Sequence, residues 1–166
     1  MNITLYSHFI VHDIDQETFR LAKMRIEDVE SRSDASSTDN NTDIPYYRRK
    51  ILEGIAKVKT ILAERLTASS ATSGSDSLDT SSSSWVISLI DNEFKSDPNA
   101  LAEHAHRFVV NDVLASWAVV YAPDAVQSFV TDRESCAVML KVEANKRKKP
   151  VLDVTVGTTD ETVNIS

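Results

Sequence analysis

The sequence predicts a mainly α protein of the α+β class. It has a four-helix bundle-like core, a small β element made by the N-terminal strand and residues 85–90, and a C-terminal strand or hairpin arm. Three observations predict this. Apolar residues recur at three- and four-residue steps through long segments. Two of those segments open on a polar cap followed by proline. The remaining apolar runs are short and mostly alternate.

Within residues 2–11, Ile3, Leu5, Phe9 and Val11 alternate with Thr4, Tyr6 and His8, with Ser7 and Ile10 as exceptions, which predicts a strand. Asp15 can cap a following helix that runs to about Val29 and buries Phe19, Ala22, Ile26 and Val29. The helix dissolves into "SRSDASSTDNNTD", a polar run with nothing to bury. Thr42 or Asp43 caps the next helix, over about 45–66, and Pro45 suits its first turn because the missing N–H costs nothing there. Ile51, Ile55, Val58, Leu62 and Leu66 form its apolar stripe, with Arg48, Arg49, Lys57, Lys59 and Glu64 largely outside it. Gly54 in mid-helix costs up to about 1 kcal/mol relative to alanine, which points to a neighbouring backbone passing close by.

The Ser-rich stretch 67–84 carries one large apolar residue, Leu78, too little to offset the entropy of ordering it. Residues 85–90 form a strand that can pair with the first. Asp97 and Pro98 open a helix over 98–121 with Leu101, Ala105, Phe108, Ala115 and Val119 on its main face. Val110, Leu114 and Trp117 cover other faces, as in a helix at the centre of a bundle or oligomer. "YAPDA" breaks the pattern at Pro123. Val126, Phe129, Val130, Cys136, Ala137, Leu140 and Ala144 then mark a helix over 124–148 that ends before Pro150. Residues 151–166, "VLDVTVGTTDETVNIS", read as a hairpin or as an arm that adds to a neighbour's sheet.

A chain of 166 residues with 42% hydrophobic and 26% charged content fits one helical domain, 1–166, with flexible loops at about 31–43 and 67–84 and an arm at 150–166. One cysteine rules out an internal disulfide. The start lacks a basic n-region, and no stretch holds eighteen consecutive apolar residues, so neither secretion nor membrane insertion is expected. A net charge of −7 opposes nucleic-acid binding by the surface as a whole, except through a local patch.

Four histidines raise the question of a metal. His8 and His12 on a strand lie about 13 Å apart at roughly 3.3 Å per residue, too far to share an ion. His104 and His106 are two residues apart on a helix and diverge. No metal, cofactor or small-molecule substrate is therefore expected. Cys136 falls on an apolar helix face, and the serines lack a G-x-S-x-G turn, so no catalytic residue stands out and an enzyme is not expected. Asp112 sits among Leu101, Ala105, Phe108 and Val119 and needs a partner, for which Arg133 of the next helix is the candidate. Lys146, Arg147, Lys148 and Lys149 form the one obvious anion-attracting patch, and they also end a predicted helix, where cations suit the macrodipole.

The apolar helix 98–121, the "YAPDA" turn, a second long helix ending in "NKRKKPV" and a strand-rich tail together resemble the small helical structural proteins of tailed bacteriophages, of the head-completion or head–tail connector type. The resemblance covers residues 96–156 and is one of pattern. It implies a homo-oligomeric ring that contacts other virion proteins such as portal or tail components, assembled in the host cytoplasm, with loops and arm ordered by neighbouring subunits. The alternative is a cytoplasmic helical protein-interaction domain without enzymatic activity.

Overall fold

Strand β1 (Asn2–Tyr6) is shorter than its alternation predicts, because helix α1 (Ser7–Arg25) begins directly after it. Ser7 and Ile10, the two exceptions to strand period, open the buried helical stripe Ser7, Ile10, Ile14, Thr18, Leu21 and Ala22. Asp15 therefore lies inside the helix and does not cap it. Phe19, expected in the core, is 55% exposed. The structure, a computed structural model, describes residues 1–25, 44–68, 84–91 and 94–148. Ile26, Val29, the predicted caps Thr42 and Asp43, most of both predicted loops and the C-terminal arm lie outside the described residues.

Helix α2 (Ile44–Ile61) buries Ile51, Ile55 and Val58. A single 3₁₀ turn, Ala63–Arg65, ends it earlier than predicted, between buried Leu62 and half-buried Leu66. At Gly54 a methyl group would meet Val109 Cγ1 at 3.2 Å and Val109 Cα at 3.5 Å. The glycine thus lets α2 approach the central helix closely.

Strand β2 (Ser84–Ser88) pairs antiparallel with β1, setting Ile3 opposite Ile87 and Leu5 opposite Trp85. These four side chains are buried on the inner face, while Tyr6 and Val86 point outward. Residues after α2 extend the arrangement through a bridge between Leu66 and Leu89.

Helix α3 (Pro98–Tyr121) has the predicted bounds, and its first turn is capped by Asp97 Oδ1, which accepts from the Asn99 N–H at 2.9 Å. Helix α4 (Val126–Ala144) follows a 3₁₀ turn at Pro123–Ala125. Helices α1, α2 and α4 and strand β1 all pack against α3, burying residues on nearly every face from Leu101 to Ala118. Among the described residues the result is mainly α, four helices with one two-stranded antiparallel sheet. Val119, expected inside, is 62% exposed, and Val120 and Tyr121 beside it are exposed too. Helix α4 stops short of the predicted 148 because the Ala144 carbonyl is taken by Arg65 and Ser96, and a bridge between Phe94 and Arg147 draws the chain aside. Among the described residues no helix is long and apolar enough to cross a membrane.

Candidate functional site

A carboxylate on a helix enclosed by apolar neighbours needs donors, and Asp112, 4% exposed, has three bonds from two cations. Lys57 Nζ donates to Oδ1 at 2.8 Å and to Oδ2 at 2.6 Å, and Arg133 Nη1 donates to Oδ1 at 3.0 Å. The structure therefore brings Asp112 and Arg133 together and adds Lys57, so that α2, α3 and α4 meet at one ionic cluster. The cluster leaves the carboxylate engaged by cations, and the nearby Ser116 hydroxyl donates to the Asp112 backbone carbonyl at 3.1 Å and not to the carboxylate. Lys57 was not legible as a partner, because it falls outside the apolar stripe of its helix and lies 55 residues away.

A second polar cluster joins the end of α4 to the start of α3. Buried Arg65 donates through Nε to the Ile90 carbonyl at 3.1 Å, and its Nη groups reach the Ile90 and Ala144 carbonyls. Its guanidinium lies 3.3 Å from the centroid of the Phe94 ring. Burial lowers the Arg65 pKa, and the Asp91 charge offsets part of that. Glu143 Oε1 accepts the Asp97 N–H at 3.0 Å, at the positive end of α3, and Oε2 pairs with Lys146. The Lys146 ammonium, and then the Asp97 N–H, hold the Glu143 carboxyl below the usual carboxylate range. Arg65 and the Asp97 contact of Glu143 carry no sequence signal, since the hydrogen-bond partners there are backbone carbonyls and a backbone amide; only the i,i+3 spacing of Glu143 and Lys146 is local.

The basic run is divided by this cluster. Lys146 pairs with Glu143, the Arg147 guanidinium lies 5.8 Å from the Phe94 ring centroid, Lys148 is exposed, and Lys149 lies outside the described residues. Because α4 ends at Ala144, these residues do not occupy its last turn, as had been expected from a helix reaching 148; Lys141 does.

His8 and His12 lie on α1, one helical turn apart, not about 13 Å apart along a strand. That spacing suits two ligands of one ion, but among the described residues no group of three or more histidine, cysteine or acidic side chains is placed to hold a metal. His12 Nε2 lies 2.9 Å from Gln16 Nε2, and the His106 imidazole lies 2.7 Å from the Asp13 carboxylate, tying α3 to α1. Burial pushes the half-buried Cys136 thiol up, against the smaller opposing effect of Arg107, so the thiolate is scarce at neutral pH.

Open clefts lie among the described residues. One of about 440 Å³ lies between the ends of α2 and α4, lined by Thr60, Glu64, Lys141 and Asn145 among others. Another, about 370 Å³, has Val110, Leu114 and Phe129 among its lining and Asp13, Glu17 and Asp132 around it. Neither places a nucleophile beside a histidine. Comparison with protein-family models, with curated proteins and with solved structures finds no match to this chain.

Proposed function

We propose that the chain is a structural assembly subunit that acts through protein–protein contacts in a homo-oligomeric ring, of the kind found at phage head–tail junctions. A virion location and portal or tail partners belong to the same proposal. Its first support from the sequence, an α3 apolar on several faces, weakens, because α1, α2, α4 and β1 cover those faces within one chain. The observation that carries the reading is instead the outer face of α4, where Val138, Met139 and Val142 are each about half exposed or more, Val138 and Val142 being one turn apart. Val119, Val120 and Tyr121 form a separate exposed apolar group at the end of α3, beside the start of α4.

Sedimentation of the full chain against Val138→Glu/Val142→Glu tests this reading. Association that weakens in the double variant while its melting temperature holds supports it. Association indifferent to both charges removes the α4 face from the interface. A non-enzymatic interaction domain that binds another protein through the same face is the second reading, and it is favoured if the chain stays monomeric alone.

A further inference from the structure

The hydrogen-bond phase of the small sheet shows where a further strand can add. Met1 and Leu89 exchange both of their backbone bonds, the Met1 amino group to the Leu89 carbonyl at 3.0 Å and the Leu89 N–H to the Met1 carbonyl at 2.7 Å. In an antiparallel ladder such pairs alternate, so Ile3 and Leu5 also face β2, whereas the N–H and C=O groups of Asn2 and Thr4 point away from it. The far side of β2 obeys the same alternation. There Ser88 O accepts the Thr67 N–H at 3.0 Å and the Ile90 N–H reaches Arg65 O at 2.7 Å, so that edge is covered at its C-terminal end. Along β1 no hydrogen bond from the described residues reaches the outward groups of Asn2 or Thr4. "NITLY" also contains no charge and no proline, the usual guards of an open edge.

We infer that the open edge of β1 receives an antiparallel strand from a second copy of this chain, residues Val151–Val156. The inference rests on the assembly reading and names its contact. The occupant follows from sequence and reach. "VLDVTV" has four β-branched residues in six and spans roughly 20 Å when extended, matching β1. The described chain ends at Lys148, at the end of the molecule where β1 begins. Arg65 joins Ala144 to Ile90 there, and Met1 joins Leu89. Residues 151–156, leaving that point, reach their own β1 only in the parallel sense. The antiparallel sense requires them to start about 16 Å further on, beside Tyr6, and Lys149 and Pro150 span only about 7 Å. A second copy can present its tail from the Tyr6 end, in the more stable antiparallel pairing. Asn2 and Thr4 then each exchange both backbone bonds with it.

Amide exchange of Asn2 and Thr4 in the full chain, followed from dilute to concentrated solution beside native mass spectrometry, tests the inference. Both amides are expected to exchange fast in the monomer and at least roughly tenfold more slowly in the oligomer. Thr4→Pro removes one outward N–H from β1. Asp153→Pro and Val154→Pro, tested separately, cover both possible phases of the tail. Thr4→Pro and one of the two tail variants should each weaken association by roughly ten- to a hundredfold, the effect of one lost buried hydrogen bond. If the chain associates while both amides stay fast, or if neither tail proline matters, the inference falls and the assembly reading stands. Slow exchange in the dilute monomer places the tail on its own chain and overturns the second-copy occupant. A monomer at every concentration with fast exchange overturns both.

Discussion

Asp112 holds two cations of unequal exposure, and that inequality sets what each substitution costs. The Lys57 side chain is 52% exposed and can turn to water, whereas the carboxylate is 4% exposed and cannot. Asp112→Asn should therefore cost about 1–2 kcal/mol, while Lys57→Met/Arg133→Met, which leaves the carboxylate buried and uncompensated, should cost about 3–5 kcal/mol. Urea denaturation measures both, and equal losses would show that the carboxylate is not the constrained partner. Glu143 contributes to acid sensitivity. Its folded pKa is depressed, so its contribution is complete above the unfolded carboxyl pKa near ~4.3 and is lost as pH falls through the lower folded value. Glu143→Gln should accordingly lower stability at neutral pH and flatten its decline between about pH 5 and pH 3, which denaturation midpoints across that range would register. At this scale the need of Asp112 for a partner was legible, because its helical neighbours are apolar, and Arg133 was within reach on the next helix. Lys57, Arg65 and the link from Glu143 to Asp97 were not, because side-chain reach across tertiary packing leaves no periodicity in the chain.

Gly54 shows how one missing side chain sets the distance between two helices. An alanine there gains up to about 1 kcal/mol of helix propensity but requires Val109, 3.2 Å from the new methyl, to yield a few tenths of an ångström. Gly54→Ala should be close to neutral, while Gly54→Val should cost about 1–3 kcal/mol by forcing α2 away from α3. Thermal melts of the two variants check this, and a valine as stable as the alanine would mean that the helices can part freely. The same crossing was foreshadowed in the sequence by a glycine in mid-helix. The bounds of α3 were legible because Asp97 and Pro98 fix its start and Pro123 its end. The boundary between β1 and α1 was not, since Phe9 and Val11 continue the alternation of Ile3 and Leu5 by coincidence while Ser7, Ile10 and Ile14 already follow a helical step. The end of α4 is set by the capture of the Ala144 carbonyl, an event that neither Pro150 nor the basic run reports.

At the scale of the whole molecule, the bundle covers its central helix with its own elements and leaves apolar side chains on the outside of α4 and at the end of α3. An assembly subunit needs that division, with a core complete enough to fold alone and a separate surface for its neighbours. A net charge of −7 does not prevent such contacts, because Val138, Met139 and Val142 are uncharged and the exposed Glu134 and Lys141 beside them on α4 carry opposite signs. The measurement that tests this most directly is native mass spectrometry of the full chain over a wide concentration range. A discrete oligomer, with one stoichiometry that grows with concentration, is the predicted result. A chain that remains monomeric throughout, with the α4 face still open to solvent labelling, would contradict self-assembly.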